Sequence, residues 1–299
     1  MKTYDVVILT DNEHLKPVEK NNIVKNVLDE DNYIKVALEK LNLKVLRLSW
    51  NDKNFDWSQT KYILFRSTWD YHKHFQEFSS WLNKVSKQTT LLNSENIIRW
   101  NIDKHYLLDL QKQGVHICES YFIEIGETKN LKSLATQFNL SEFVLKPCVS
   151  GGGRHTYKIN SKNIDQYEET FSQLIKEEAM ILQPFQQNII DKGEISLVVI
   201  NGKFTHAILK TAKKGDFRVQ DDFGGTIENY TPTQEEINFA EKAIKACKEE
   251  PIYARVDIFT DNNGKLAIAE LELVEPELWF RKQPKAANKL AEGIKQLLS

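Results

Sequence analysis

The sequence predicts a mixed fold, α/β in its first part and α+β in its second. Near the N-terminus, short apolar runs alternate with a helix-length periodic segment, which is typical of parallel strands joined by helices. From residue 179 onward, apolar runs follow one another closely, and one strong helical pattern, at 233–249, interrupts them. This second pattern indicates an antiparallel sheet.

The N-terminal elements come in the order strand, helix, strand, strand. The run "YDVVIL" at 4–9 suits a buried strand, and residues 21–41 carry apolar side chains at helical spacing. The runs "KVLRL" and "KYILF" continue the pattern as strands. We therefore assign a small α/β domain to residues 1–95.

The rest of the chain divides into two further subdomains. Residues 102–113 are predicted to form a helix that ends at Gly114, since glycine is typical of helix C-termini. Asn-Gly at 201–202 predicts a tight hairpin, and an amphipathic helix is expected near 286–298. We assign these two subdomains to residues 96–182 and 183–299.

Composition narrows the class of protein. With 40 basic and 42 acidic side chains, the net charge of −2 gives no bulk attraction to nucleic acid or anionic lipid. The three cysteines lie far apart without metal-binding spacing, which indicates reduced thiols. No apolar run approaches the roughly 20 residues of a membrane span. We expect a cytoplasmic protein with neither nucleic acid nor membrane as a partner.

The stretch "YARVDIFTDNNGKLAIAELELVEP" reads as a hairpin with several acidic residues. Asn-Gly at 263–264 favours a two-residue type I′ turn. That turn sets Asp257 opposite Glu270 and Arg255 opposite Glu272. Side chains alternate between faces along a strand, so all four of these residues share one face.

Three carboxylates on one face repel one another unless a cation lies between them. Mg²⁺ binds such oxygen ligands together with phosphate, so Asp257, Glu270 and Glu272 form a candidate metal site. The alternative is a solvated strand face on which Arg255 pairs with Glu272. The turn sets the pairing register of the two strands. A one-residue slip in that register would move each side chain of one strand to the other face and would separate the carboxylates.

A glycine-rich segment, "FVLKPCVSGGGRHTYKI", follows another predicted strand. Its backbone N–H groups can form an anion-binding nest, and two cationic side chains accompany them. The alternative is a flexible hairpin tip, since neither the P-loop nor the dinucleotide-binding glycine pattern is present. The candidate phosphate-binding residues are Lys146, Ser150, Gly151, Gly152, Gly153 and Arg154.

Two later segments add candidate nucleotide contacts. A strand ending at Gln183 and Pro184 can offer an amide and backbone groups to an adenine edge, although an ordinary strand end looks the same. The basic segment 208–225 contains Lys210 and Arg218, and an arginine there can stabilise a phosphoryl group in transfer. Its alternative interpretation is a solvated basic loop.

The order of these motifs resembles the ATP-grasp superfamily, in particular its branch of glutathione synthetase and RimK-type ligases. The resemblance covers about residues 95–276, with residues 1–90 similar to the accompanying pre-ATP-grasp domain. Motifs such as "RSTWDY", "FVLKP" and "GEISLVVINGKFTHAILK" are most similar to the group that contains the cycloserine-forming cyclo-ligase. The resemblance implies an ATP-grasp fold, with a central lid subdomain and a C-terminal antiparallel sheet.

The resemblance also implies roles. ATP would lie between the lid and the C-terminal sheet, with Mg²⁺, or Mn²⁺ as a second candidate, on the three hairpin carboxylates. Arg218 and Lys210 would act in catalysis. The remaining implied ATP-binding residues are Lys104, Lys146, Ser150 to Arg154, Gln183, Pro184, Phe185 and Glu194.

A substrate segment is expected where "LFRSTWDYHKHF" ends a strand, because ligands of α/β sheets bind at the carboxyl ends of strands. Its side chains would suit an amino-acid-like substrate, with a clamp for a carboxylate and a partner for an ammonium group. The alternative is a helix N-cap with a packed tryptophan. The candidate substrate residues are Arg66, Ser67, Thr68, Trp69, Asp70 and, from the hairpin, Arg255.

The resemblance implies an ADP-forming carboxylate–amine ligase that works through an acyl phosphate on a small amino-acid-derived substrate, with ring closure as one form of that reaction. The alternatives are a ligase that adds amino acids to a peptide or protein tail, a non-catalytic ATP-binding regulator, and a kinase. A homodimer is a further expectation.

Overall fold

In a computed structural model, residues 2–18, 21–219 and 223–298 are described, and they form three sheets. The N-terminal sheet is parallel, with strand order β2-β1-β3-β4 once the strands are numbered along the chain. Helices pack on this sheet, as the alternating sequence pattern predicts. Its elements are β1 (Tyr4–Thr10), α1 (Asn12–Leu15), α2 (Asn22–Lys40), β2 (Val45–Ser49), β3 (Thr60–Ser67), α3 (Phe75–Val85) and β4 (Thr90–Leu92).

The central sheet is antiparallel and has the strand order β5-β8-β6-β7. Its apolar face packs against helices α6 and α7 in a separate hydrophobic core. Two short helices precede the sheet, and Gly114 follows the second of them with φ of +76°, as predicted. The elements are α4 (Glu95–Asn101), α5 (Tyr106–Lys112), β5 (Tyr121–Ile123), α6 (Leu131–Gln137), β6 (Glu142–Pro147), β7 (Tyr157–Asn160), α7 (Glu168–Leu174) and β8 (Met180–Pro184).

The C-terminal sheet has the order β11-β10-β9-β12-β13 and is antiparallel throughout, which confirms the α+β second part. Asn201 and Gly202 both have positive φ, 51° and 71°, and join β9 to β10 as a two-residue hairpin. The elements are α8 (Gln187–Lys192), β9 (Glu194–Ile200), β10 (Lys203–Thr211), β11 (Thr226–Tyr230), α9 (Gln234–Lys245), β12 (Tyr253–Thr260), β13 (Leu266–Glu272) and α10 (Pro284–Leu297).

The hydrophobic cores cross two of the subdomain boundaries that we drew from sequence. Helices α4 and α5, assigned to the lid subdomain, contribute Ile97, Leu107 and Leu110 to the core of the C-terminal sheet. The last helix, α10, packs against α2 of the N-terminal domain. Residues of the N-terminal domain and of the predicted lid subdomain therefore pack against the C-terminal sheet. Among the described residues, no helix has the length and apolar character that a membrane crossing requires.

Candidate active site

The hairpin of β12 and β13 pairs Asp257 with Glu270 as predicted, but its turn differs from the one expected. The turn has three residues, 262–264, with only Gly264 at positive φ, rather than a two-residue type I′ loop. That extra residue shifts the register by one near the turn, so Thr260 pairs with Leu266. An irregularity at Ala269 shifts it back, and Asp257 pairs with Glu270 as predicted.

Asp257 is the centre of a buried ion network on this face. Lys210, from β10, reaches Asp257 Oδ2 at 2.9 Å and Glu194 Oε1 at 2.5 Å. Arg255 donates to Asp257 through Nε (3.0 Å) and Nη2 (2.9 Å), and it also binds Glu272. The predicted partners Arg255 and Glu272 therefore lie in contact, and the same arginine is shared with a second carboxylate.

Lys104 holds the third carboxylate. It lies in the connection between α4 and α5, where its backbone N–H donates to Cys148 O at 3.0 Å. Its Nζ contacts Glu270 Oε1 at 3.1 Å and donates to Ser150 O at 2.9 Å. One lysine thus connects the hairpin carboxylates to the first residue of the glycine-rich loop.

Burial and neighbouring charges set the protonation of these groups. Burial alone would raise the pKa of Asp257, but Arg255 and Lys210 more than compensate and hold it below its ordinary value. Burial raises the pKa of Glu272 to about 7, although Arg255 acts in the opposite direction. Burial likewise lowers the pKa of Lys146. On the hairpin face, the pKa of Asp257 therefore lies below its ordinary value and the pKa of Glu272 lies above it.

The glycine-rich loop packs against the basic loop that follows β10. A Cβ on Gly153, whose φ is +69°, would lie 3.1 Å from the ring of Phe223. The guanidinium of Arg218 lies 3.6 Å from the centre of the same ring and binds Asp216 through Nε and Nη2. Arg154 is paired with Glu178 at 3.0 Å. Of the predicted basic segment, residues 220–222 lie outside the described residues.

A small cavity of about 150 Å³ opens beside the end of β8. Gln183 Nε2 donates to Ser120 Oγ at 2.8 Å, and Lys158 Nζ lies 3.5 Å from the centre of the Phe185 ring. The wall combines aromatic and aliphatic surface with a few polar groups, as nucleobase pockets do. Its lining includes Val144, Lys146, Gln183, Pro184, Phe185, Glu194, Phe217, Arg218 and Val219.

A larger cavity of about 510 Å³ lies between the hairpin, the glycine-rich loop and the carboxyl ends of β1 and β3. The two cavities share the side chains around the hairpin carboxylates, so they meet there. Trp69 and Asp70, two of the predicted substrate residues, line the large cavity. Trp69 Nε1 donates to Glu275 O at 3.0 Å, and Asp70 accepts from Trp50 Nε1 at 2.6 Å.

Three residues of the predicted substrate segment do not line this cavity. Arg66 is 2% exposed, and its Nη2 donates to Glu30 at 3.2 Å and to Pro276 O at 2.7 Å. Ser67 donates to Asp31 at 2.8 Å, and Thr68 is fully buried. The clamp expected of Arg66 is contradicted, because its side chain points into the protein and anchors the chain after β13.

Sequence reasoning missed several residues that line the large cavity. Asp11 and His14 follow the carboxyl end of β1, Glu275 follows β13, and His72 lies opposite Gly151. The strand-end rule that selected the segment after β3 applies equally to β1 and would have found the first pair. Glu275 and His72 carry no comparable signal in the sequence.

The donor set of the hairpin suits Mg²⁺, since hard cations prefer carboxylate oxygens. In this structure the carboxylates instead bind Lys104, Lys210 and Arg255, so metal binding would require them to exchange partners. Among the described residues, the group whose ligand atoms lie within 4.8 Å of one another is a different one: Asp103, His105 and Cys148.

That second group is already satisfied internally. Asp103 binds His105 Nδ1 at 2.6 Å, and Glu124 binds His105 Nε2 at 3.1 Å, so both ring nitrogens have carboxylate partners. Burial raises the pKa of Cys148 to about 12, which keeps the thiol protonated at neutral pH. We therefore keep the metal site on the hairpin as the prediction.

Comparison with known proteins agrees with this geometry. The RimK-like ATP-grasp domain family matches residues 103–276, more than half of the chain. The chain belongs to the RimK-like ATP-grasp family. It is an ATP-grasp ligase of the ADP-forming type that makes C–N bonds, as ATP-grasp ligases do with ATP and Mg²⁺. A second family, the N-terminal domain of D-cycloserine synthetase DcsG, matches residues 6–93.

Individual relatives extend the similarity over the whole chain. The cycloserine biosynthesis protein DcsG of Streptomyces lavendulae is 26% identical over 275 residues, which are 83% of this chain and 87% of that protein. The crystal structure of D-cycloserine synthetase DcsG superposes with a TM-score of 0.85 at 23% identity, over 98% and 99% of the two chains. D-alanine–D-alanine ligase from Bacillus anthracis gives 0.66 at 15% identity, over 98% and 96%.

Proposed function

We propose that this ligase activates the carboxylate of a small amino-acid-derived substrate as an acyl phosphate and then joins it to a nitrogen of the same molecule. The observation that carries the proposal is the continuous space from the nucleobase-sized cavity, past the hairpin carboxylates, to the N-terminal domain. Similarity to D-cycloserine synthetase in both matched regions supports ring closure as the form of the reaction.

At the nucleotide end, ATP would exchange partners with the ion network. The lysines that now bind carboxylates would pair with its phosphates instead. Mg²⁺, when bound, would neutralise the carboxylates and the phosphate oxygens. Such an exchange keeps each buried charge paired, which a low-dielectric site requires. The residues assigned to phosphate are Lys104, Lys146, Lys210 and the loop Ser150 to Arg154; those assigned to metal are Asp257, Glu270 and Glu272.

The base and the reacting phosphoryl group have separate neighbours. Gln183, Pro184 and Phe185 would hold the adenine in the small cavity, with Glu194 beside Lys210. Arg218 and Arg255 line both cavities and would face the negative charge that develops on the phosphoryl and acyl oxygens.

The reaction has two steps. A carboxylate oxygen of the substrate attacks the γ-phosphorus of ATP, and ADP leaves. A nitrogen lone pair then attacks the acyl carbon, the C–O bond to phosphate breaks, and the nitrogen loses a proton. The protein supplies no covalent nucleophile, and the side chains assigned above position the reactants and neutralise their charge.

The substrate end of the cavity suits a compact polar molecule. Trp69 offers an apolar wall, and Asp70 and Glu275 offer carboxyl groups for an ammonium or amino group. The proposal is therefore an amino acid with a second, internal nitrogen nucleophile. A peptide substrate is the competing outcome, as in the ligase PsnB solved with a precursor peptide (TM-score 0.65, 15% identity, 100% of this chain and 99% of that chain).

The test uses β-aminooxy-D-alanine, the open-chain compound whose ring closure gives D-cycloserine, with ATP and Mg²⁺. D-Alanine and a panel of amino acids serve as parallel substrates. We expect ADP, phosphate and a cyclic product of the aminooxy compound, measured by chromatography and mass spectrometry. AMP as the product, or ADP with a stable phosphorylated compound and no new C–N bond, would contradict the proposal.

A further inference from the structure

A histidine–aspartate pair lies at the N-terminal end of the large cavity, outside the ion network. Asp11 follows β1, and His14 lies one turn later in α1; both line the cavity. His14 Nδ1 is 2.8 Å from Asp11 Oδ1 and 3.0 Å from Oδ2, and the backbone N–H of His14 donates to Oδ1 at 2.7 Å. The imidazole is thus held through Nδ1 by a carboxylate.

Other contacts fix the position of this pair. Arg47, from β2, donates to His14 O at 3.0 Å and is itself paired with Asp31. The indole of Trp69 meets the imidazole edge-on, with 5.4 Å between ring centres. Among the residues that the structure describes, His14 Nε2 has no hydrogen-bond partner. One nitrogen is anchored, and the other is available to a molecule in the cavity.

We propose that His14 Nε2 accepts the proton that the attacking nitrogen of the substrate loses, and that Asp11 positions the imidazole and stabilises the imidazolium. This inference rests on the proposed function, because it assigns a group to its second step. It extends that function by giving the N-terminal domain a part in the chemistry as well as in binding.

The nitrogen lone pair forms a bond to the acyl carbon, and the bonding pair of the C–O bond leaves with inorganic phosphate. The N–H proton moves to His14 Nε2, while Nδ1–H stays hydrogen-bonded to Asp11. The imidazolium returns the proton to solvent when the product leaves. In other histidine–carboxylate pairs that act as general bases, the histidine likewise accepts the proton and the carboxylate orients the imidazole.

The charged groups around His14 favour a working base. Burial alone would lower its pKa, but the hydrogen bond and charge of Asp11, with Glu13, raise the pKa of His14, and Arg47 opposes them weakly. The other cavity histidine, His72, has its pKa lowered to about 4 by burial and by Arg154, which makes it a weak base. Two of the four described lysines that line the cavity, Lys104 and Lys210, are bound to carboxylates.

The test separates the two chemical steps in the variant His14→Gln. With β-aminooxy-D-alanine, ATP and Mg²⁺, ring closure reports the second step. Added hydroxylamine, supplied in excess from solution, captures the acyl phosphate as a hydroxamate and reports the first step. We expect ring closure to fall by roughly 100-fold or more, as loss of a general base does. Hydroxamate formation should not fall, because acyl phosphate that no longer cyclises remains available to hydroxylamine.

Two further variants complete the design. Asp11→Asn keeps an equally good N-cap but removes the carboxylate from Nδ1, so the acid limb of the kcat profile should move to lower pH. His74→Gln changes an exposed histidine beyond the cavity and should leave both readouts unchanged.

The outcomes are distinguishable. Wild-type formation of ADP and cyclic product tests the proposed function, whereas the ratio of ring closure to hydroxamate in His14→Gln tests the role of His14 alone. If both rates fall together in that variant, or if Asp11→Asn leaves the acid limb where it was, His14 is not the proton acceptor.

Discussion

The two ends of the large cavity are built differently. At the hairpin end, charged side chains bind one another: Lys210 lies between Glu194 and Asp257, and Arg255 binds Asp257 and Glu272. At the N-terminal end, two polar side chains each have a fixed partner: His14 has Asp11, and Asp70 has Trp50. In the proposed function, the first arrangement exchanges partners with ATP and metal. The second keeps its geometry, which recognition of one particular substrate requires.

The largest effect that would break this comparison is expected at the hairpin. Glu270→Gln removes one charge from the proposed metal ligands and takes away the carboxylate partner of Lys104. We expect kcat to fall by roughly 10³-fold, as when a group that stabilises transition-state charge is lost. ADP formation measures this, and Glu228→Gln, on the exposed edge strand β11, is the matched control. A wild-type rate in Glu270→Gln would remove the residue from the metal site.

Stability provides the second way to probe the ion network. Lys210→Met leaves Glu194 and Asp257 without their shared cation, and removal of one partner from a buried ion pair costs about 3–5 kcal/mol. Urea unfolding measures the loss. Mg²⁺ should restore part of the stability, because it can take the place of the missing charge. Lys203→Met, at the exposed start of the same strand, is the control, and an equal loss there would contradict the network.

These residues also show what the sequence can and cannot predict. The convergence of Asp257 with Glu270 was correct, yet it rested on a turn one residue too short. The irregularity at Ala269 offsets the extra turn residue and restores the predicted register, and the local sequence gives no sign of this irregularity. Turn chemistry is a local property, whereas a bulge depends on how neighbouring strands pair.

For Arg66 the prediction of the segment is right and the prediction of the side chain's surroundings is wrong. The end of β3 does reach the cavity, as Trp69 and Asp70 demonstrate. Strand alternation does not reveal which face a given residue takes, and Glu30 on α2, with the carbonyl of Pro276, draws Arg66 inward. Those partners are distant in sequence, so only the tertiary structure identifies them.

The pH dependence of stability offers a third test. Burial, with the charges of Glu272 and Glu270, raises the pKa of Glu275 to about 8, well above its ordinary value. Between the unfolded and folded pKa values the folded protein binds more protons, so the free energy of unfolding falls as pH rises. This contribution is fully present below the ordinary carboxyl pKa and is lost as pH passes about 8.

We therefore expect metal-free protein to be less stable in mildly alkaline than in mildly acidic buffer, and Glu275→Gln to flatten that decline. Urea unfolding at both pH values measures it, with Glu228→Gln as the control. A decline that stays equally steep without Glu275 would mean that other groups cause it.

The smallest expected effect separates two neighbouring glycines of the proposed phosphate-binding loop. Gly152 and Gly153 both have positive φ, 58° and 69°, so alanine at either position costs about 1–2 kcal/mol of backbone strain. A Cβ at 152 meets nothing within 4 Å, whereas at 153 it lies 3.1 Å from Phe223. Because Phe223 supports Arg218, Gly153→Ala should raise the KM for ATP more than Gly152→Ala does, by roughly tenfold. Equal KM values would show that the loop binds phosphate independently of its packing on Phe223.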